Sequence, residues 1–307
     1  MKIDLRANDL VLSYLEDEAG FDEIWNSEAL QIIREFGDRF REGLSKGEMK
    51  KVLDAKDVDV YGLGDIEENL PQIEELLTTI ETNREDWLET MEKEINRVLP
   101  EEDTSEITIH PIPTFFYGIG LQDGACLNIN DPIFFEDPRE FVYHAIHEST
   151  HVLYARSHGV PSIHRLESAE EKVSFFNTFF HTEGFGVYAP LRLRKEEGAV
   201  REEDLPMVET PMIESFQDYL TITDETKMRK TVEKYDSLRD DFKNIDEWDV
   251  EELLERTMGP QRYTYRVGGW LFKEIEEKKG LEEVREAFYM DPNDFVEEYD
   301  HLLDRLR

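Results

Sequence analysis

The stretch HAIHESTHVLYARSHG, from His144 to Gly159, carries four of the chain's eight histidines, in a protein where 72 acidic residues face 35 basic ones. Extended back through EDPREFVY, it reads as a single helix with its own start and stop. Asp137 suits the N-cap, Pro138 the first helical position, Glu140 the capping-box position, and Gly159 ends the helix. His147 and His151 stand four residues apart, so their rings share one face, one turn apart, and can reach a single ion. Glu148 projects beside them. The competing reading is a helix whose histidines are solvated or simply hydrogen-bonded.

The sequence on either side sets this helix in context. Up to about Pro100, segments such as SEALQIIREFGDRFREGL (27–44) and NLPQIEELLTTIETNREDWLETMEKEINRVL (69–99) space apolar residues three and four apart, the helix period. EITIHPIPTFFYGIGLQDGACLNIN (106–130) then changes character. Ile107 and Ile109 alternate with polar residues, and glycines at 118, 120 and 124 punctuate further strand-like runs. This predicts a small antiparallel sheet whose last strand is Ala125 to Ile129. From Asp137 the helix period returns and holds to the end. The fold class expected is therefore α+β and mostly helical, with an N-terminal helical region over 1–103 and a second domain over 104–307. Within that domain the sheet and histidine helix occupy 104–158, and a helical lobe occupies 159–307.

HESTH, His147 to His151, resembles the HExxH signature of the zincins, the zinc-dependent peptidases. The metzincin extension is absent, because His158 lies seven residues past His151 and no glycine holds the intervening position. The resemblance is to the glutamate-ligated branch, that of thermolysin and aminopeptidase N, which implies a zincin-like core and a third metal ligand on the next helix. SAEEKVSFFNTFFHTEGFGVYAP (168–190) supplies that helix, opened by a Ser168/Glu171 capping box. Glu183 shares a stripe with Phe176, Phe179, Phe180 and Val187, where an unpartnered carboxylate would cost several kcal/mol. Its EGFGVY run is similar to the run that follows the ligand glutamate in several zincins. Gly184 and Gly186 are expected to let this helix approach the histidine helix closely. Val187 stands where thermolysin carries an aspartate, so any group orienting a histidine lies elsewhere. His181 and His164 are weaker alternatives as third ligand, and His144 reads as structural.

The same resemblance implies that DGACLNIN is an edge strand pairing with substrate backbone. Ala125, Leu127 and Asn128 are then the substrate-binding residues, with GACLN standing where aminopeptidase N relatives carry GAMEN. YTYRVGGWLFKEIEEKKG (263–280) resembles the tyrosine-glycine helix pair of such peptidases, which makes Tyr265 a candidate oxyanion donor. Tyr263 and Arg266 are neighbouring substitutes, and a tyrosine merely packed at a helix start is the bland alternative. Cys126 reads as a small buried residue or, as an alternative, a regulatory thiol.

Composition narrows the partners. A formal charge of −37 repels a phosphate backbone and an anionic membrane surface alike. No stretch approaches the roughly 20 apolar residues of a membrane span, and the first residues lack a secretory layout. A single cysteine fits a reducing compartment. A cytoplasmic protein is expected, and the acid excess suits a salt-rich cytoplasm. The function the resemblance implies is zinc-dependent hydrolysis of peptide bonds, with zinc held by His147, His151 and Glu183, Glu148 as general base and a peptide or protein as substrate. A catalytically idle zinc-binding module or a metal-free helical interaction scaffold is the alternative.

Overall fold

The computed structural model describes residues 1–40, 45–54, 66–113, 118–200, 213–259 and 261–307. Among these residues the chain is mostly helical with one small sheet, an α+β arrangement. They form two compact units. The first runs to Arg156, and the second takes the described residues from Ser157 onward, save Ile213, which groups with the first.

In the first unit the elements are β1 (Lys2–Ile3), α1 (Arg6–Leu15), α2 (Phe21–Trp25), α3 (Glu28–Phe40), α4 (Lys46–Leu53), α5 (Ile66–Thr82) and α6 (Arg84–Val98). There follow β2 (Thr108–Ile112), β3 (Gly118–Leu121), β4 (Gly124–Asn128), α7 (Pro132–Glu136) and α8 (Glu140–His158) as far as Arg156. The strands lie in the order β1-β2-β4-β3. β2 runs parallel to both β1 and β4, and only β3 is antiparallel, pairing with β4 through Gly118 opposite Leu127 and Gly120 opposite Ala125. The sheet is thus mixed, correcting the expected antiparallel one. The cause is pairing out of sequence order: β2 lies beside β4 and not beside β3, and Lys2 and Ile3 meet Thr108 and Ile109, partnerships that no local pattern announces. The expected boundary near residue 103 likewise does not coincide with the division into units. α1 packs on β2, α3 on β3 and β4, and α6 on β1, so the N-terminal helices and the sheet share one core.

α8 begins three residues later than its expected cap. The Asp137 carboxylate accepts the Arg139 N–H at 3.0 Å and the Asp137 carbonyl accepts the Glu140 N–H at 3.0 Å, a turn that leads into the helix. Glu140, expected to close a capping box, is buried instead, its carboxylate 3.4 Å from Nδ1 of His144. The C-terminal stop is where the sequence puts it, with Gly159 at φ 81°.

The second unit contains α9 (Ala169–Tyr188), α10 (Leu191–Glu196), α11 (Ile213–Ile222), α12 (Glu225–Asp241), α13 (Val250–Met258), α14 (Tyr263–Lys279), α15 (Leu281–Tyr289) and α16 (Pro292–Tyr299). α9 opens on the expected capping box: Ser168 Oγ accepts the Glu171 N–H at 3.2 Å, and the Glu171 carboxylate accepts the Ser168 N–H at 2.9 Å. The axis of this unit is the pair α9 and α14. Their backbones meet where two glycines face each other. A Cβ on Gly184 would lie 2.5 Å from the carbonyl carbon of Gly268, and one on Gly268 would lie 2.3 Å from the Phe180 carbonyl oxygen. Gly184 therefore serves a close approach to α14, a partner the sequence did not name. Phe176 and Phe180 both stack on Tyr235, and Phe185, Phe272, Phe288 and Phe295 form a second aromatic cluster. None of the described helices is long and apolar enough to cross a membrane.

Candidate metal centre

Helical spacing brings the two imidazoles of α8 together. Nε2 of His147 and Nε2 of His151 face each other at 2.9 Å, with the rings edge to face. In a tetrahedral zinc site, bonds of about 2.0–2.1 Å place neighbouring nitrogens about 3.3 Å apart, so the two atoms already converge on one point. Glu183, buried on α9, completes a set: His147, His151 and Glu183 each offer one donor atom, and these atoms all lie within 4.8 Å of one another. Two neutral imidazoles and a carboxylate fit zinc in number and chemical type. This group can hold a metal ion.

Glu148 is set by the sheet. It is buried on the side of α8 that meets β3, where the strand has glycine at every second position. A Cβ on Gly118 would stand 2.2 Å from Oε1 of Glu148, and one on Gly120 would stand 2.1 Å from the Glu148 carbonyl oxygen and 2.7 Å from His151 Cβ. Side chains alternate along a strand, so Gly118 and Gly120 clear one face and let the strand lie directly on the helix. The GIG run was visible as strand punctuation, but its use as a seat for Glu148 was not.

The expected substrate strand needs correction. Ala125, Leu127 and Asn128 are fully buried in β4, which has β2 on one side and β3 on the other, so β4 has no edge to offer an extended peptide. Asn128 uses its side-chain oxygen to accept the Asn130 N–H at 3.0 Å. Among the described residues the edge position beside α8 belongs to β3. Adjacency in sequence to the histidine helix does not give β4 the edge, because the parallel β2–β4 pairing moves it inward. Cys126 is buried, its thiol 3.5 Å from the Ala29 carbonyl, and burial pushes the thiol well above its ordinary range, so it stays protonated and unreactive. This favours the structural reading of the cysteine.

His144, His158, His164 and His181 separate cleanly from His147 and His151. His144 Nδ1 donates to the Glu140 carbonyl at 2.8 Å, and its ring lies edge-on to Phe134. His181 is fully buried between Phe272 and Phe295, and its Nε2 donates to the Ala287 carbonyl at 2.8 Å. Burial holds its pKa down at about 3, so it is a neutral core residue. His164 is exposed, and His158 donates to the Phe288 carbonyl at 2.8 Å. None of these joins the donor set.

Of the three residues considered at the start of α14, Tyr263 is buried against Tyr235, and Arg266 Nε donates to Asp218 at 2.7 Å. Tyr265 is half-buried, with the guanidinium of Arg262 3.7 Å above its ring centre. Neither Arg262 nor Asp218 was singled out by the sequence: a left-handed cap at an arginine and an aspartate buried within a helix leave no local signature. The chain matches no protein-family model, no curated protein and no solved structure.

Proposed function

We propose that the chain is a zinc-dependent peptidase with the glutamate-ligated zincin arrangement, and that its substrate is a peptide or protein and not a nucleic acid. The observation that carries the reading is the convergence of His147, His151 and Glu183, with Glu148 interposed on the same helix as the histidines. A zinc ion held by these three residues supplies a water acidified toward neutral pH and a Lewis acid for the scissile carbonyl. Glu148 is the proton carrier. Its carboxylate, lodged between α8 and β3, takes the proton of the attacking water and returns it to the departing amine. β3, at the sheet edge, replaces β4 as the strand against which an extended substrate pairs through its backbone. Tyr265 is the proposed donor to the developing oxyanion. A cytoplasmic, salt-rich setting belongs to the same reading and is supported by the acid excess and the single buried cysteine.

Substitution of the proton carrier separates catalysis from metal binding. Glu148→Gln should keep its zinc while hydrolysis of a fluorescent peptide library falls by about 10²- to 10⁴-fold. Cleavage by this variant at the wild-type rate would remove the base assignment.

A further inference from the structure

The start of α14 breaks three local rules at one place. Arg262, its N-cap, has φ 47° and ψ 46°, the left-handed region that a non-glycine side chain disfavours. Two guanidiniums, Arg262 and Arg266, stand at the end of the helix whose dipole repels cations. Asp218, on α11, is a carboxylate with no exposed surface. One arrangement accounts for all three. Asp218 Oδ2 accepts from Arg262 Nε at 2.7 Å, and Oδ1 accepts from Arg266 Nε at 2.7 Å, so both oxygens are committed and the carboxylate cannot turn. Burial pushes the Asp218 carboxyl up, and the two guanidiniums offset that only in part. Arg262 in turn lies flat over the Tyr265 ring at 3.7 Å. Burial opposes the charge on Arg262, but Asp218, Tyr265 and Glu183 together outweigh it and hold the group firmly protonated.

A helix start needs none of this for stability, since a serine or aspartate cap satisfies the same backbone groups. Local penalties gathered where the surroundings over-determine one conformation mark functional positions. We infer that Arg262, anchored by Asp218, is a positioning residue that fixes the plane of the Tyr265 ring, and with it the hydroxyl that donates to the oxyanion. This role rests on the peptidase reading above. A guanidinium suits it better than an ammonium, because its planar face stacks on the ring while its edge remains hydrogen-bonded to the carboxylate.

The test uses the full zinc-loaded chain labelled with 3-fluorotyrosine, with Tyr265→Phe identifying the residue-265 fluorine resonance. In Arg262→Gln that resonance should shift and broaden. kcat should fall about a hundredfold with KM and zinc content unchanged, and Arg262→Gln combined with Tyr265→Phe should be no slower than Tyr265→Phe alone. Arg262→Lys, which keeps a cation and a donor for Asp218, is the second variant should the glutamine form fold poorly. It should show the same pattern, because the stacked plane is lost. An unmoved resonance, an unchanged kcat, or losses that multiply in the double variant would overturn the positioning role while leaving the peptidase reading standing. A wild-type chain that binds zinc and cleaves no peptide would instead overturn the peptidase reading, and this role with it.

Discussion

Glu148 has the space it needs because Gly118 has no side chain. A methyl group at that position would fall 2.2 Å from Oε1 of Glu148, far inside contact distance, so either the carboxylate or the strand must move. With Glu148 as the proposed proton carrier, Gly118→Ala should lower kcat by about tenfold or more, since small displacements of such a group cost rates of this order, while zinc content stays at the wild-type level. Unchanged turnover would show that Glu148 does not need its present position. At this scale much was legible from sequence. The i, i+4 histidines of α8, and the Ser168/Glu171 capping box and burial of Glu183 on α9, each follow from residue spacing within a single helix. What escaped were residues whose role depends on a neighbour distant in sequence: Gly118 facing Glu148, and Asp218 holding Arg262 across 44 positions.

Among the elements, the crossing of α9 and α14 carries the second unit. Gly184 and Gly268 let the two backbones touch, and a Cβ on either would meet main-chain atoms of the other helix or of its preceding turn at 2.3–2.6 Å. Main chain cannot give way as a flexible side chain does. Gly268→Ala should accordingly cost about 1–3 kcal/mol in denaturant unfolding, despite alanine's better helix propensity. A neutral or stabilising result would mean that the helices are held apart by something other than their backbones. The sequence marked these elements as helices but could not pair them, because a glycine in a helix announces close approach without naming its partner. The sheet failed to read for a related reason. The strands of residues 108–128 were visible from their alternation and glycines, yet their order was not: β2 skips its sequence neighbour β3 to pair in parallel with β4, and that pairing makes β4 interior and leaves β3 at the edge among the described strands.

Over the whole molecule, net charge and metal content are the decisive quantities. With a formal charge of −37 spread over 307 residues, self-repulsion opposes the compact state unless salt screens it. Raising KCl from 0.1 M to molar levels shortens the screening length from about 10 Å to about 3 Å. The melting temperature should rise with it, by roughly 2–4 °C for each kcal/mol gained. A melt indifferent to KCl would defeat the salt-adapted reading and leave an ordinary acidic protein. Whether His147, His151 and Glu183 share one ion is read from the zinc content of the chain purified without added metal, then titrated with zinc after chelation. One zinc per chain is expected, with affinity lowered by more than about a hundredfold in His147→Ala, His151→Ala and Glu183→Gln alike, since loss of a ligand should exceed the 10- to 100-fold cost of losing an outer partner. A wild-type chain that takes up no zinc, or a Glu183→Gln chain that binds it as tightly as the wild type, would contradict the shared site.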